Sequence, residues 1–171
     1  NTGIGYASVA ARLGIPTTIF MPENASPERK IILKALGAEL VFTSPLEGTD
    51  GAQVEARALA EAEPDKYFYA DQYNNDNNWK AHYYTTAREV YHQTGGQVTH
   101  LAVGLGTTGT FTGTGRKLKE INPGIQLVAL HPDVGMHALE GWKDMETARV
   151  PGIYQPDMAD QRFFVSTEEA Y

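Results

Sequence analysis

Apolar residues along this chain fall into short runs that alternate with longer stretches of mixed polarity. The runs are rich in β-branched and aliphatic residues and are bounded by proline, glycine or polar side chains, a pattern that predicts buried β-strands. The predicted strands cover residues 16–21, 38–43, 67–70, 100–104 and 126–131.

The stretches between these runs predict α-helices, because apolar side chains recur in them at helical spacing. The clearest helix start is at Ser26, a capping residue that is followed by Pro27 at the first helical position; Gly37 closes the same helix. The predicted helices cover residues 6–13, 27–36, 50–63, 79–94 and 108–120.

Strands that alternate with helices predict parallel βαβ units, and therefore an α/β fold built on parallel sheets. An asparagine-rich segment at residues 74–78 is either a linker or a ligand-facing loop. We therefore expect two lobes, a smaller one over residues 1–75 and part of a larger one over residues 76–171. The pattern weakens after Gly135, and residues 140–171 give no clear assignment.

Composition and charge narrow the possible functions. Of 171 residues, 42% are apolar and 20% charged, as in ordinary globular proteins, and the formal net charge of −7 argues against binding to nucleic acid. The absence of cysteine excludes disulfides, thiolate metal sites and a cysteine nucleophile. The five histidines show no metal-ligand spacing, and no apolar run is long enough to span a membrane. We expect a cytoplasmic protein without a metal site.

The strongest local signal is the segment Gly104-Leu-Gly-Thr-Thr-Gly-Thr110, which follows a predicted strand and precedes a predicted helix. Glycines allow close approach of the backbone to a ligand, the helix N-terminus offers free N–H groups, and threonines add hydroxyl donors. This arrangement favours a phosphate site over a tight turn with capping threonines. It also matches G-x-G-x-x-G, and Asp133 could then bind a ribose, so a nicotinamide-binding domain stays open.

Two other segments carry weaker signals. Asn1-Thr2-Gly3 precedes a predicted helix and could hold a carboxylate, although Asn1 could equally be a simple helix cap. Gln72 follows a predicted strand, at the sheet edge where ligand sites of α/β proteins open. The lysines mostly have polar neighbours, which predicts solvated side chains.

Together these motifs resemble the cysteine synthase and cystathionine β-synthase family of fold-type-II enzymes that use pyridoxal 5′-phosphate (PLP). Asn1-Thr2-Gly3 resembles the family's substrate loop, Gln72-Tyr73-Asn74 its Gln-Tyr/Phe segment, and Gly106–Thr110 its phosphate loop. Thr108 stands where glycine is common, which resembles the cysteine synthase B and O-phosphoserine sulfhydrylase branch. Residues 139–142 and 150–154 also resemble that branch.

The resemblance implies a tryptophan-synthase-β-like fold, incomplete here, with three-layer αβα lobes and usually a homodimer. It implies that Asn1 bonds the PLP ring oxygen, that Thr2 and Gln72 hold the substrate carboxylate, and that Gly141 lies beside the substrate. The phosphate would be held by residues of the second loop, namely Gly106, Thr107, Thr108, Gly109 and Thr110. The reaction would be β-replacement, a transferase or lyase chemistry that makes L-cysteine from O-acetylserine or O-phosphoserine and a sulfur donor.

The resemblance also places the family's Schiff-base lysine before Asn1, so we expect an internal fragment with no catalytic residue of its own. On that basis the 171 residues alone are predicted to be inactive and to bind PLP weakly or not at all. Alternatives are a cystathionine β-synthase or a serine/threonine dehydratase, a non-catalytic remnant that binds an anion or a partner, and the nicotinamide-binding domain.

Overall fold

A computed structural model describes all residues from Asn1 to Tyr171. The chain divides into two compact units, residues 1–69 and residues 70–171. The division precedes the boundary that was expected between residues 75 and 76. The reason is that the Ile153 backbone N–H donates to the Tyr73 carbonyl at 3.3 Å and the Asn78 side-chain amide donates to the Gln72 carbonyl at 2.7 Å. These bonds tie residues 70–75 to the second unit.

The first unit is a two-stranded parallel sheet with three helices. Strand β1 pairs with β2 in a register that sets Thr18 opposite Glu39 and Pro22 opposite Thr43. Buried Ala7, Met21 and Leu33 form the centre of its core. Its elements are α1 (Thr2–Leu13), β1 (Thr18–Pro22), α2 (Pro27–Ala35), β2 (Glu39–Thr43) and α3 (Gly48–Ala62).

The start of α2 confirms the prediction made from its cap residues. The Ser26 hydroxyl accepts a hydrogen bond from the Arg29 backbone N–H at 3.4 Å, and Pro27 occupies the first helical position. Helix α1, in contrast, begins at Thr2 rather than Tyr6, so the predicted start was too late. The first turn of α1 contains glycines, which have low helical propensity, so the sequence pattern does not indicate a helix there.

The predicted strand at residues 67–70 is wrong. The sheet of the first unit contains only β1 and β2, and residues 67–70 are in irregular structure. Phe68 is 89% exposed, so the apolar run is not buried. A strand requires a partner for its backbone N–H and C=O groups, and a run of β-forming residues does not provide one.

The second unit is a three-stranded parallel sheet, in the order β3-β4-β5, with helices around it. Central β4 is mostly buried, and its Leu127 lies in one core cluster with Phe111 and Leu118 of α6. Both sheets are parallel, as predicted for an α/β fold. The elements are α4 (Asp76–Tyr84), α5 (Thr86–Gln93), β3 (His100–Gly104), α6 (Gly109–Ile121), β4 (Gln126–Pro132), a 3₁₀ turn (Pro156–Met158), β5 (Gln161–Val165) and α7 (Thr167–Ala170).

The single helix predicted over residues 79–94 is two helices, α4 and α5. They are separated at Thr85, whose φ and ψ are −116° and −77°. The Thr85 hydroxyl donates to the Ala81 carbonyl at 2.8 Å. A threonine hydroxyl that bonds a carbonyl one turn back bends helices, which accounts for the break.

No helix in the structure is both long and apolar enough to cross a membrane.

Candidate functional site

The candidate site is built on the loop that joins β3 to α6. Leu105 anchors this loop, since its side chain is fully buried. Its backbone N–H donates to the Leu130 carbonyl at 3.1 Å, and its carbonyl accepts from the Lys143 N–H at 2.7 Å. The loop is therefore fixed to β4 on one side and to the segment around residue 143 on the other.

The glycines of the loop are required by close packing. A Cβ added to Gly106 would collide with the Gly141 carbonyl oxygen, and one added to Gly109 would collide with the Asn78 side chain. A Cβ on Gly104 would overlap the Trp142 indole. The loop thus lies against two other segments of the second unit, and larger side chains would push them apart.

Thr108 has an unusual conformation at the centre of the loop. Its φ is +69°, a left-handed geometry that costs a residue with a Cβ about 1–2 kcal/mol. The residue is only 3% exposed, and its hydroxyl oxygen is buried without a hydrogen-bond partner. Strain and an unpaired polar group at the same residue are features that concentrate at functional sites.

The helix after the loop begins with backbone N–H groups that lack carbonyl partners within the helix, and the Gly109 N–H among them donates to the Thr107 hydroxyl at 3.4 Å. The Thr112 N–H donates to the Thr108 carbonyl at 2.8 Å, which is the first bond of α6. The backbone N–H groups that precede it are those that a helix leaves without intrahelical partners. With the helix dipole and the buried Thr108 hydroxyl, they form a set of donors suited to a phosphate monoester. The residues present therefore fit the phosphate of PLP.

Gly141 contacts this loop and Gln72 is connected to it through Asn78, while the substrate roles that the resemblance implies for both remain predictions. Asn78 connects Gln72 to the loop, because its amide donates to the Gln72 carbonyl and its side chain packs on Gly109. Gly141 has φ of +85° and presents its carbonyl to Gly106. The structure thus brings Gln72, Gly141 and the phosphate loop together within the second unit.

Lys143 departs from the expectation of a solvated lysine. Lys143 is only 5% exposed, and its side-chain nitrogen lies 5.1 Å from the centre of the Tyr73 ring. Such a cation–π contact helps to offset the desolvation of the charge. The Lys143 side chain therefore packs on Tyr73, while its backbone N–H bonds the Leu105 carbonyl at the start of the loop.

Asn1 and Thr2 belong to the first unit and begin α1. Asn1 stands at the N-cap position but its side chain makes no cap hydrogen bond; instead its carbonyl accepts from the Ile4 and Gly5 N–H groups at 3.0 and 3.2 Å. Thr2 is exposed in the first helical turn. Their predicted contacts with PLP and with a substrate remain predictions.

The site contains one residue that the sequence did not single out individually. In the sequence Asn78 is one of several asparagines in residues 74–78, a segment that is compatible with either a linker or a ligand-facing loop. Its bonds show that the segment supports the loop. The clustering of asparagines in residues 74–78 is a sequence signal that this segment has a special role. The contacts of Asn78 with Gln72 and Gly109 are visible only in the fold.

Comparison with protein families decides between the interpretations of the loop. The model of the pyridoxal-phosphate dependent enzyme family matches residues 1–167 of this chain. The chain belongs to this family. Members of this PLP-dependent family bind the cofactor that the loop geometry fits, so the nicotinamide-binding interpretation is not supported.

Individual relatives in the family are cysteine synthases. The cysteine synthase of Aquifex aeolicus is 51% identical over 171 residues, which are 100% of this chain and 52% of the relative. Cysteine synthase B of Escherichia coli is 36% identical over 170 residues, 99% of this chain and 55% of the relative. The chain thus spans about half the length of the curated relatives it matches.

The fold is also that of this PLP-dependent family. The solved structure of the O-acetylserine dependent cystathionine β-synthase from Helicobacter pylori superposes with a TM-score of 0.88 at 34% identity, and the match covers 98% of this chain and 56% of that one. The predicted tryptophan-synthase-β-like fold, incomplete relative to such proteins, is confirmed.

Proposed function

We propose that these residues form the phosphate-binding and substrate-binding segments of an enzyme that makes L-cysteine from O-acetylserine or O-phosphoserine. The observation that carries the proposal is the loop Gly106–Thr110, strained at Thr108 and packed against Gly141 and Asn78. The similarity to cysteine synthases supports the reaction.

In this proposal the residues of the chain bind and orient. Bound PLP would supply an electron sink for the α-carbon of an amino acid, which permits loss of its β-substituent. The loop amides and the Thr108 hydroxyl would hold the phosphate, and Asn1 would bond the ring oxygen. Thr2 and Gln72 would hold the substrate carboxylate, and Gly141 would leave room for the substrate because it has no side chain.

A second candidate is the synthesis of cystathionine from the same activated serine. It is favoured by the match to the Helicobacter pylori protein, whose described activity is O-acetylserine dependent cystathionine β-synthase. The two candidates share the first half of the reaction and differ in the sulfur nucleophile that attacks, which is sulfide in one and homocysteine in the other. As in related enzymes, we propose that the acting form is a homodimer.

The resemblance places the Schiff-base lysine before Asn1, so we further propose that the 171 residues by themselves form no covalent adduct with PLP. Lys143 is the internal lysine that could contradict this, because it is buried next to the phosphate loop. Its position over Tyr73 supports a role as a fixed charge.

The proposal is tested with two preparations, the 171 residues alone and the longest polypeptide that the source gene encodes. The longer polypeptide is expected to show a PLP absorbance band and to release cysteine from O-acetylserine or O-phosphoserine with sulfide; homocysteine in place of sulfide distinguishes the second candidate. Borohydride reduction followed by peptide mass spectrometry is expected to find no modified lysine in residues 1–171. A reduced adduct on Lys143, or no PLP binding by either preparation, would contradict the proposal.

A further inference from the structure

His82 on α4 contacts the phosphate loop, although the site described above gives it no role. Its Nε2 atom lies 3.3 Å from the Thr110 hydroxyl oxygen. Its Nδ1 atom lies 2.9 Å from the hydroxyl oxygen of Thr86 in the first turn of α5. The imidazole therefore bridges the start of α5 and the loop.

The position of this ring is fixed by close contact between α4 and α6. A Cβ added to Gly113 would lie 2.9 Å from the His82 Cβ and would collide with the Trp79 carbonyl. The absence of a side chain at Gly113 thus allows α4 to bring the imidazole within reach of Thr110. A side chain held in this way cannot easily rotate away from its two hydroxyl partners.

The protonation of His82 determines what it can do for Thr110. Burial lowers the pKa of His82 below its ordinary value, so the ring is neutral at neutral pH. In a neutral imidazole one nitrogen donates and the other accepts. If Nδ1 accepts from Thr86, Nε2–H donates to Thr110 and the Thr110 proton stays available for an anion. In the opposite tautomer the Thr110 hydroxyl donates its proton to Nε2, so Thr110 cannot donate that proton to an anion.

We propose that His82 is a positioning residue that donates its Nε2–H to Thr110 and so directs the Thr110 hydroxyl proton toward the phosphate bound in the loop. The inference rests on the proposed function, because it concerns how that loop holds its anion. The chain Thr86–His82–Thr110 would orient a donor before the ligand arrives, as a hydrogen-bonded neighbour fixes the orientation of a metal ligand.

Substitutions at His82 separate this role from simple packing. A glutamine amide reaches the position of Nε2, whereas an asparagine amide reaches only that of Nδ1. In the longest polypeptide that the source gene encodes, His82→Asn is expected to raise the dissociation constants of PLP and of inorganic phosphate about tenfold, as loss of one oriented donor predicts. His82→Gln is expected to stay within about threefold of the unsubstituted polypeptide. Binding of pyridoxal, which lacks the phosphate, is expected to change in neither variant.

His92→Asn on the exposed end of α5 is the matched control, and nitrogen NMR of the His82 ring provides a direct readout. Phosphate titration is expected to increase the Nε2–H tautomer of His82. Unchanged phosphate affinity in His82→Asn, or equal weakening of PLP and pyridoxal in both His82 variants, would overturn the inference and leave the proposed function intact. Failure of the longest polypeptide that the source gene encodes to bind both PLP and phosphate would overturn the proposed function as well.

Discussion

At the scale of single residues, Thr108 combines two unfavourable features, a left-handed backbone and a buried hydroxyl without a partner. A buried hydroxyl that lacks a hydrogen bond costs roughly 1–3 kcal/mol in proteins. A structure retains such a group when a ligand gives it a partner, and a phosphate oxygen in the loop would do so. The stability of the empty loop and its affinity for an anion should therefore respond in opposite directions to loss of this hydroxyl.

Thr108→Val tests this relation, because valine keeps the branched shape and removes the oxygen. We expect the free energy of unfolding without ligand to rise by about 1 kcal/mol, while the affinity for PLP falls. Denaturant unfolding and a PLP titration of the longest polypeptide that the source gene encodes measure the two effects. Thr114→Val in α6 is the matched control, since the Thr114 hydroxyl is also buried and unpaired. It should raise stability without changing affinity, and a loss of affinity in both variants would contradict the assignment.

At the scale of elements, the packing of α4 on α6 sets the position of the side chains that support the loop. Asn78 and His82 both project from α4, and α4 reaches α6 because Gly113 has no Cβ. The first contact joins the loop to Gln72, and the second reaches Thr110. A side chain introduced at Gly113 should therefore displace α4 and disturb the contacts of Asn78 and His82 with the loop one turn away.

Gly113→Ala is expected to lower the free energy of unfolding by about 1–3 kcal/mol, because the new methyl group would force the Trp79 backbone away. Hydrogen exchange of α4 and α6 amides should accelerate along with it. Gly5→Ala in α1 is the control, since no atom lies within 4 Å of the added Cβ. That substitution should stabilise its helix by about 0.5–1 kcal/mol. Equal effects of both substitutions would argue against the packing explanation.

Local signals in the sequence were sufficient for some elements and not for others. The start of α2 was predicted because Ser26 and Pro27 act within one helical turn. The break at Thr85 depends on a side-chain bond that competes with the helix, and the failed strand at 67–70 depends on a missing partner, so neither could be read from periodicity. Strand β5 was missed because most of its residues are exposed, which removes the alternation expected of a half-buried strand.

The same distinction applies to the site. Glycines and threonines close together in sequence were enough to predict the loop, since its donors come from consecutive residues. The supporting contacts of Asn78, His82 and Lys143 join segments far apart in the chain. Nothing in the residue types alone distinguished buried Lys143 from the other lysines, because burial is a property of the fold.

At the scale of the whole molecule, the response to acid follows from groups whose pKa is displaced in the fold. Burial lowers the pKa of His131, with the Arg162 charge adding to the effect. A hydrogen bond from Lys119 lowers the pKa of Asp160, as does the Leu127 N–H. Other carboxylates have lowered pKa values through hydrogen bonds from neighbouring side chains or backbone, namely Asp76, Glu120, Asp144 and Glu169.

Each of these lowered pKa values makes the folded state less stable as the pH falls. A lowered pKa in the folded state means that the unfolded chain binds more protons over the interval between the two pKa values. Stability should therefore decline as the pH falls below about 6.5, where the unfolded histidines titrate, and more steeply below about 4.5, where the carboxylates follow. Denaturant unfolding between pH 8 and 3.5 measures this. Burial lowers the pKa of His82 as well, so His131→Asn and His82→Asn should each remove part of the first decline. Stability that rises between pH 7 and 6 would contradict the assignment.

The order β3-β4-β5 has a consequence for the way in which the second unit folds. Strands β3 and β4 are joined through α6 alone, but β5 reaches β4 only after the connection over residues 133–160. Closing a longer loop costs more chain entropy, so pairing of β5 is expected to come later than pairing of β3 with β4. Gly141 lies in that connection. The contact of Gly141 with Gly106 should accordingly form at the end of folding, after the phosphate loop has formed.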